Sequence, residues 1–188
     1  MSDFIKKHGN IWGDDPSSLL KEYDYHLELT NKLDNLSVEN FNREALYEIV
    51  LWKLSRFPYV DDNLLQELKG IAEIKQKEHV KARSIIEKLL KSSGVRLPMA
   101  STILRFLNPN AFQIIDDRAY RVLFPGKPKY PSKPAKVTDD YVKTSIDLYF
   151  EYLDELHIVS SEKLPFNLSD RILYKLDILL GNNIGEKT

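Results

Sequence analysis

The sequence predicts an all-α protein, and three observations carry that reading. Apolar residues recur at three- and four-residue spacing almost throughout, with little of the strict alternation a strand needs. Asp-Pro, Asp-Asp and Thr-Asp-Asp clusters stand where the apolar stripes begin. Gly and Asn-Pro signals stand where they end. At 188 residues the chain makes one large domain or two small ones. A chain of that size buries about 70% of its extended surface.

Asp15-Pro16 supplies a cap and a proline at the first helical position, so a helix is expected from there to about Leu33, with Leu19, Leu20, Tyr23 and Leu27 inward. Ser37 or Asn40 opens the next, which runs through Trp52 with the stripe Leu46, Ile49, Val50, Lys53 and Leu54. It stops before Phe57-Pro58, because a proline pushes the preceding residue out of the helical region. Asp61-Asp62 caps a short helix to about Ile74. A longer one, Lys77 to Lys91, turns Val80, Ile85, Ile86, Leu89 and Leu90 to the core. The stretch SSGVRLPMASTILRFL stops a helix at Ser93-Gly94, turns over Val95-Arg96-Leu97 and restarts at Pro98. Asn108-Pro109-Asn110 closes that helix, and an extended FQII leads to Asp116-Asp117 and a short helix through Leu123. PGKPKYPSKPAK, with four Pro, four Lys and no acid, reads as an exposed extended loop. Thr138-Asp139-Asp140 caps a strongly periodic helix to about His157, and Asn167 or Ser169 opens the last one, to Gly181.

The absence of Cys excludes disulfides, Cys-ligated zinc, iron–sulfur clusters and thiol catalysis together. His8, His26, His79 and His157 show no metal-ligand spacing, so neither a metal nor a cofactor is expected, and Ser92 and Ser93 lack the His and Asp pattern of a nucleophilic triad. No run of about 18 apolar residues exists, and MSDFIKKHGNIWGDD has no apolar leader core; the expectation is a cytoplasmic protein, without a membrane partner. The net charge of -1 conceals an asymmetry: residues 75–136 carry fourteen Lys and Arg against four acids, net +10, while the flanks are net -11. Such a segment either faces a polyanion or pairs with the acidic flanks on folding.

A tight turn between two helices exposes backbone N–H groups at the start of the second, where unpaired amides and the helix dipole favour an anion. Gly94 through Met99 is such a turn, inside the basic segment, and a nucleic-acid phosphate is the anion expected there. The bland alternative is ordinary helix–turn–helix packing.

GVRLPMAS followed by IIDDRAYRVL resembles the helix-hairpin-helix DNA glycosylases, the endonuclease III-like superfamily. That family has a hairpin of the form LPGVGxxTA and, one helix later, a VDTHVxRV-like segment with a catalytic Asp. Gly94 stands at the first hairpin glycine, Ala100 at the small residue, Asp116 at the catalytic aspartate, and Arg121 and Val122 at the RV pair. ALYEIVLWKLSR resembles the helix that opens the glycosylase domain, so the likeness covers about residues 42–123. Arg96 replaces the second glycine, Ser93 replaces the usual apolar residue or Pro, and Pro98 stands where bifunctional members carry the Schiff-base Lys, so no lyase activity is expected.

The resemblance implies a two-lobed fold. Residues 37–123 would form the glycosylase-like core with its hairpin at 93–98, and 124–137 a basic loop. Residues 1–36 and 138–188 would fold together as the second lobe, with the active site in the cleft. Asp116 would stabilise positive charge on the deoxyribose and orient or deprotonate the attacking water. Its alternative role is a helix N-cap. Double-stranded DNA would be held by Gly94, Val95, Arg96, Leu97 and Met99 of the hairpin, with Arg118 and the loop lysines Lys127, Lys129 and Lys133. The flipped base would stack against Trp52, Phe57 or Tyr59, with Arg56 on a phosphate or base edge, although large aromatics also pack simply for stability. The reading is a monomeric, monofunctional glycosylase that leaves an abasic site. Its rivals are a catalytically inactive nucleic-acid-binding module of the same fold and a helical protein-interaction domain.

Overall fold

The computed structural model describes residues 8–13, 15–23, 25–54 and 57–182. Among them are nine α-helices, five short 3-10 segments and no strand, so the all-α expectation stands. A boundary between Phe57 and Pro58 divides the chain into two compact units.

In the first unit, α1 (Gly9–Trp12) is followed by a 3-10 segment at Pro16–Glu22, α2 (Leu27–Asp34), a 3-10 turn at Val38–Asn40 and α3 (Arg43–Leu54). Asp15 accepts the Ser17 N–H at 2.9 Å, as a cap should, but the single helix expected from it to Leu33 is two elements. His26, the N-cap of α2, sits at φ 46, in the left-handed region, through which no right-handed helix continues. Leu19, Leu20, Tyr23 and Leu27, expected inward, are exposed. The second expected helix begins at Arg43, later than Ser37 or Asn40, with the Asn42 side chain accepting the Ala45 N–H at 3.0 Å. Leu46, Ile49, Val50 and Leu54 are likewise exposed, and Ala45 is the buried residue of α3. Helical spacing defines a face there without fixing what covers it. The contact between α2 and α3 is aromatic: Trp52 meets Tyr25 edge to face at 5.1 Å, and the Trp52 indole N–H donates to the Thr30 hydroxyl at 2.8 Å.

The second unit is built around α8 (Asp139–Val159), which buries Tyr141, Val142, Ile146, Tyr149, Phe150, Tyr152, Leu153 and Leu156. Thr138 caps it by accepting the Tyr141 N–H. Ahead of it come α4 (Asp62–Lys69), capped by Asp61, a 3-10 turn at Gly70–Glu73, α5 (Arg83–Lys91), α6 (Leu97–Leu107) and α7 (Asp117–Leu123). After it come a 3-10 turn at Phe166–Leu168 and α9 (Ser169–Leu179). Helices α5 and α7 pack on α8, and α9 lies along α7. The shared core includes Ile71, Ile86, Leu89, Leu90, Val95, Leu97, Leu104, Phe112 and Ile115. The helix expected from Lys77 starts as a 3-10 turn at His79–Ala82, which winds tighter than an α-helix and leaves Val80 56% exposed. No helix among the described residues is long and apolar enough to cross a membrane.

Candidate functional site

Helix α5 ends at Lys91 and α6 starts at Leu97, and Gly94 makes the turn between them at φ 76, the left-handed conformation that favours glycine. Arg96 is extended at φ -112, so this hairpin needs one glycine, and the Arg in place of the second is unstrained. Val95 and Leu97, expected on the DNA, are buried whole, backbone included, at 0% and 1% exposure, because their side chains belong to the core. The turn's carbonyls are taken from within the unit. Lys133 Nζ donates to the Ser92 and Val95 oxygens at 2.7 and 2.9 Å, and the Tyr59 N–H donates to the Ser93 oxygen at 2.9 Å. Of the amides, the Val95 N–H makes a long 3.4 Å contact to the Ser92 oxygen. The first bond into α6 runs from Ala100 N–H to Arg96 oxygen, so the Leu97 and Met99 amides precede it and have no acceptor among the described residues. Arg96 and Met99 carry exposed side chains beside them.

Asp116 is delivered by an irregular segment held at successive residues. Asn108, buried at its start, donates to the Ile71 and Ile74 carbonyls at 2.9 and 2.8 Å. From α8, Tyr149 donates to the Gln113 carbonyl and Tyr152 to the Ile114 carbonyl, and the Ile115 N–H donates to the Ser101 hydroxyl. Asp116 then caps α7, its Oδ1 accepting the Arg118 and Ala119 N–H groups at 2.9 and 2.8 Å. Oδ2 has no hydrogen-bond partner among the described residues. Burial raises this carboxyl above its ordinary range, with the Asp117 and Asp170 carboxylates adding to the effect, against the two amide bonds that lower it. Asp117 faces Lys129, at 2.6 Å from its Nζ.

The Pro/Lys-rich loop has no regular structure, as expected, but it is tied down. Lys127 pairs with Glu151 and lies over the Phe124 ring, Lys129 pairs with Asp117, and Lys133 enters the hairpin. Between the last two, Tyr130 sets its ring edge-on to Tyr120 at 5.6 Å, and burial together with the Asp117 and Asp116 carboxylates pushes its hydroxyl well up. Lys129 and Lys133 are four residues apart, a span of at most about 14 Å. The hairpin and the start of α7, twenty-two residues apart at Gly94 and Asp116, are therefore joined by one short piece of backbone.

The other expected site residues fall in both units. Tyr59 lies at the hairpin edge, 64% exposed as a residue. Trp52 belongs to the first unit, with its indole N–H satisfied there, as does Phe57, against His26 at 4.3 Å, and Arg56 lies outside the described residues. Arg118 spends its guanidinium on Asp177 at 2.8 Å and on the Asn182 carbonyl, and Arg121 grips the same buried carboxylate through two bonds. These contacts fix α7 on α9. Much of the basic excess is likewise paired with acids of the flanks: Arg83 with Asp147, Lys88 with Glu67, Lys91 with Asp139, and Arg105 with Asp170. Arg96 and Lys133 form no ion pair among the described residues, and they stand near each other at the hairpin. Of the histidines, His79 is buried beside Phe150 and His157 is stacked on Phe166 at 3.9 Å. No group of three or more potential metal ligands occurs among the described residues.

The sequence does not single out Tyr149, Tyr152 or Ser101, and it marks Asn108 only as the end of a helix. The one available signal was a pair of tyrosines three residues apart on a core-facing helical stripe, each an apolar body with a polar tip that must find a partner when buried. No family model matches the chain, and no curated protein and no solved structure matches it either.

Proposed function

We propose that the protein is a monofunctional DNA glycosylase-like hydrolase of the two-lobed helix-hairpin-helix type. The observation that carries the reading is the pairing of two features: a left-handed glycine turn, bonded by Lys133, and a partly buried Asp116 of raised pKa, whose neighbour Asp117 is bonded by Lys129 of the same segment. Phosphates of double-stranded DNA would meet the hairpin at the exposed Met99 and its amide, with Arg96 adding charge. The surface ion pairs of Lys127 and Lys129 are individually weak, so a phosphate competes for those ammonium groups at little cost.

In the proposed reaction the target nucleotide leaves the stack, with Tyr59 as the exposed aromatic beside the hairpin available for stacking. Asp116 uses Oδ1 to hold its own position on α7, leaving Oδ2 for the sugar or the attacking water. The N-glycosidic bond breaks with its electron pair going to the base. The carboxylate stabilises the oxocarbenium, water adds at the sugar carbon and its proton passes through Asp116 to solvent, while the departing base takes up a proton from solvent, leaving a free base and an abasic site. Pro98 at the place of the Schiff-base Lys leaves strand cleavage unsupported. The two cap bonds on Asp116 favour one second reading, an inactive binding module in which that side chain only starts a helix.

A panel of duplex oligonucleotides carrying damaged and modified bases, treated with alkali after incubation, tests the proposal. Cleavage at one modified position after alkali, and none before it, is expected. Salt-sensitive duplex binding with no base release from any substrate supports the binding module. No retardation of duplex at low salt contradicts both.

A further inference from the structure

We infer that Lys133 is a positioning residue of the hairpin: it holds the turn in the form that presents its amides, and does not itself contact a phosphate. What the turn binds rests on the glycosylase-like function proposed for the protein. The geometry of Lys133 does not.

Three consecutive features distinguish this turn. It has a single left-handed residue, Gly94, and no second glycine. Three of its carbonyls, on Ser92, Ser93 and Val95, accept bonds from outside the hairpin, two from Lys133 and one from Tyr59. Within the turn itself only a long Val95 N–H to Ser92 oxygen contact, 3.4 Å, closes the loop. The ammonium therefore replaces the internal bonds a tighter turn makes. One of its acceptors, Ser92, is the C-cap of α5, where the helix leaves partial negative charge, and the other, Val95, immediately precedes the N-cap of α6.

Lys133 suits that task by its placement. Pro131 and Pro134 flank it and stiffen the backbone that carries it, and Lys129, bonded to Asp117, anchors the same segment four residues earlier. Two of the three ammonium protons are committed to carbonyls, and the side chain is partly buried. Burial and the neighbouring Arg96 push its pKa down, as withdrawal from solvent and a nearby like charge do to an ammonium.

The test compares wild type with Lys133→Met and Lys133→Arg in the full chain. The first reading is hydrogen exchange at the Tyr59 amide in the free protein. Losing two charge-assisted bonds should accelerate that exchange about tenfold or more in Lys133→Met, and Arg, which can donate to both carbonyls, should restore it to within about threefold. The second reading is affinity for a 20-base-pair duplex across a salt series. Removing a phosphate contact lowers the slope of log K against log salt by about one, whereas removing a positioning residue lowers affinity about tenfold with the slope unchanged. An unchanged Tyr59 exchange rate, or a slope that falls by one, overturns the inference. Should Lys133→Met fail to fold, Lys133→Gln, with one donor group and no charge, takes the same readings, and an acceleration of about threefold is expected from its weaker neutral bond. If wild type binds no duplex at all the functional reading fails, and the Tyr59 exchange rate alone decides the role of Lys133.

Discussion

The Tyr152 hydroxyl donates to the Ile114 carbonyl across 2.8 Å, so a side chain of α8 holds the backbone two residues ahead of Asp116. Tyr149 does the same for Gln113, and the two rings lie 6.4 Å apart, nearly parallel. Removing the hydroxyl leaves a part-buried carbonyl without that partner. Tyr152→Phe should cost about 1–3 kcal/mol in urea unfolding with an unchanged m-value. Under the proposed function it should also slow base release more than it weakens duplex binding, because Asp116 loses its support. Unaltered stability would contradict the role given to this bond.

Gly94, at φ 76, is the turn position that an L side chain adopts only under strain. Gly94→Ala should cost about 1–2 kcal/mol, and Gly94→Asn less, since Asn visits that region more readily. Thermal unfolding of the two variants checks the order. Ala and Asn equally destabilising would mean that packing around the turn, and not its backbone conformation, sets the cost.

Asp177 is fully buried, and Arg121, Asn182 and Arg118 all donate to it. The Arg121 bonds lead in holding its carboxyl below the ordinary value of 3.8, against the effect of burial. A carboxyl lowered in the folded state adds stability above its unfolded pKa and loses it as pH falls through the lower folded value. Asp177→Ala leaves two guanidinium groups without their shared partner and should cost about 3–5 kcal/mol near neutrality. Chemical denaturation from pH 7 down to pH 3 should show the gap between variant and wild type closing below about pH 4, where an unfolded aspartate begins to protonate. A gap independent of pH would contradict the ion network.

What the sequence revealed about this fold was the local chemistry. Asp61, Asp116 and Thr138 are caps because an oxygen one to three residues from an amide closes a bond within a single turn of chain, and Gly94 marks its turn for the same local reason. The long stripe of α8 was legible because it spans several turns. The break at His26 was not, because its left-handed backbone carries no glycine to announce it. The exposed faces of α3 were not, because periodicity defines a face but not its cover. The candidate site was half visible. Its turn and its aspartate were readable as motifs. Its supports, Tyr149, Tyr152 and Lys133, act across 36 to 41 positions, and the partners of the basic segment lie largely on acids outside it. Such pairings depend on the packing of helices.

Asp116 carries the pH dependence of the proposed reaction. Burial raises its carboxyl above 3.8, and the ionised form is the one that does the work. Base release should therefore fall as the solution is acidified through a midpoint above 3.8. Stability runs the other way: a raised carboxyl opposes folding while ionised, and that opposition is relieved as pH drops. A single-turnover pH profile whose acid limb lies at or below 3.8 would exclude Asp116 as the titrating group.

The most direct test of the proposed function is Asp116→Asn under single turnover on the substrate found by the oligonucleotide panel. Asn caps a helix about as well as Asp, so the variant should fold with stability within about 1 kcal/mol of wild type and bind duplex as wild type does. Its base release should fall by about a hundredfold or more. Full turnover in a folded, duplex-binding Asp116→Asn protein would contradict the catalytic role of Asp116 and the glycosylase reading with it.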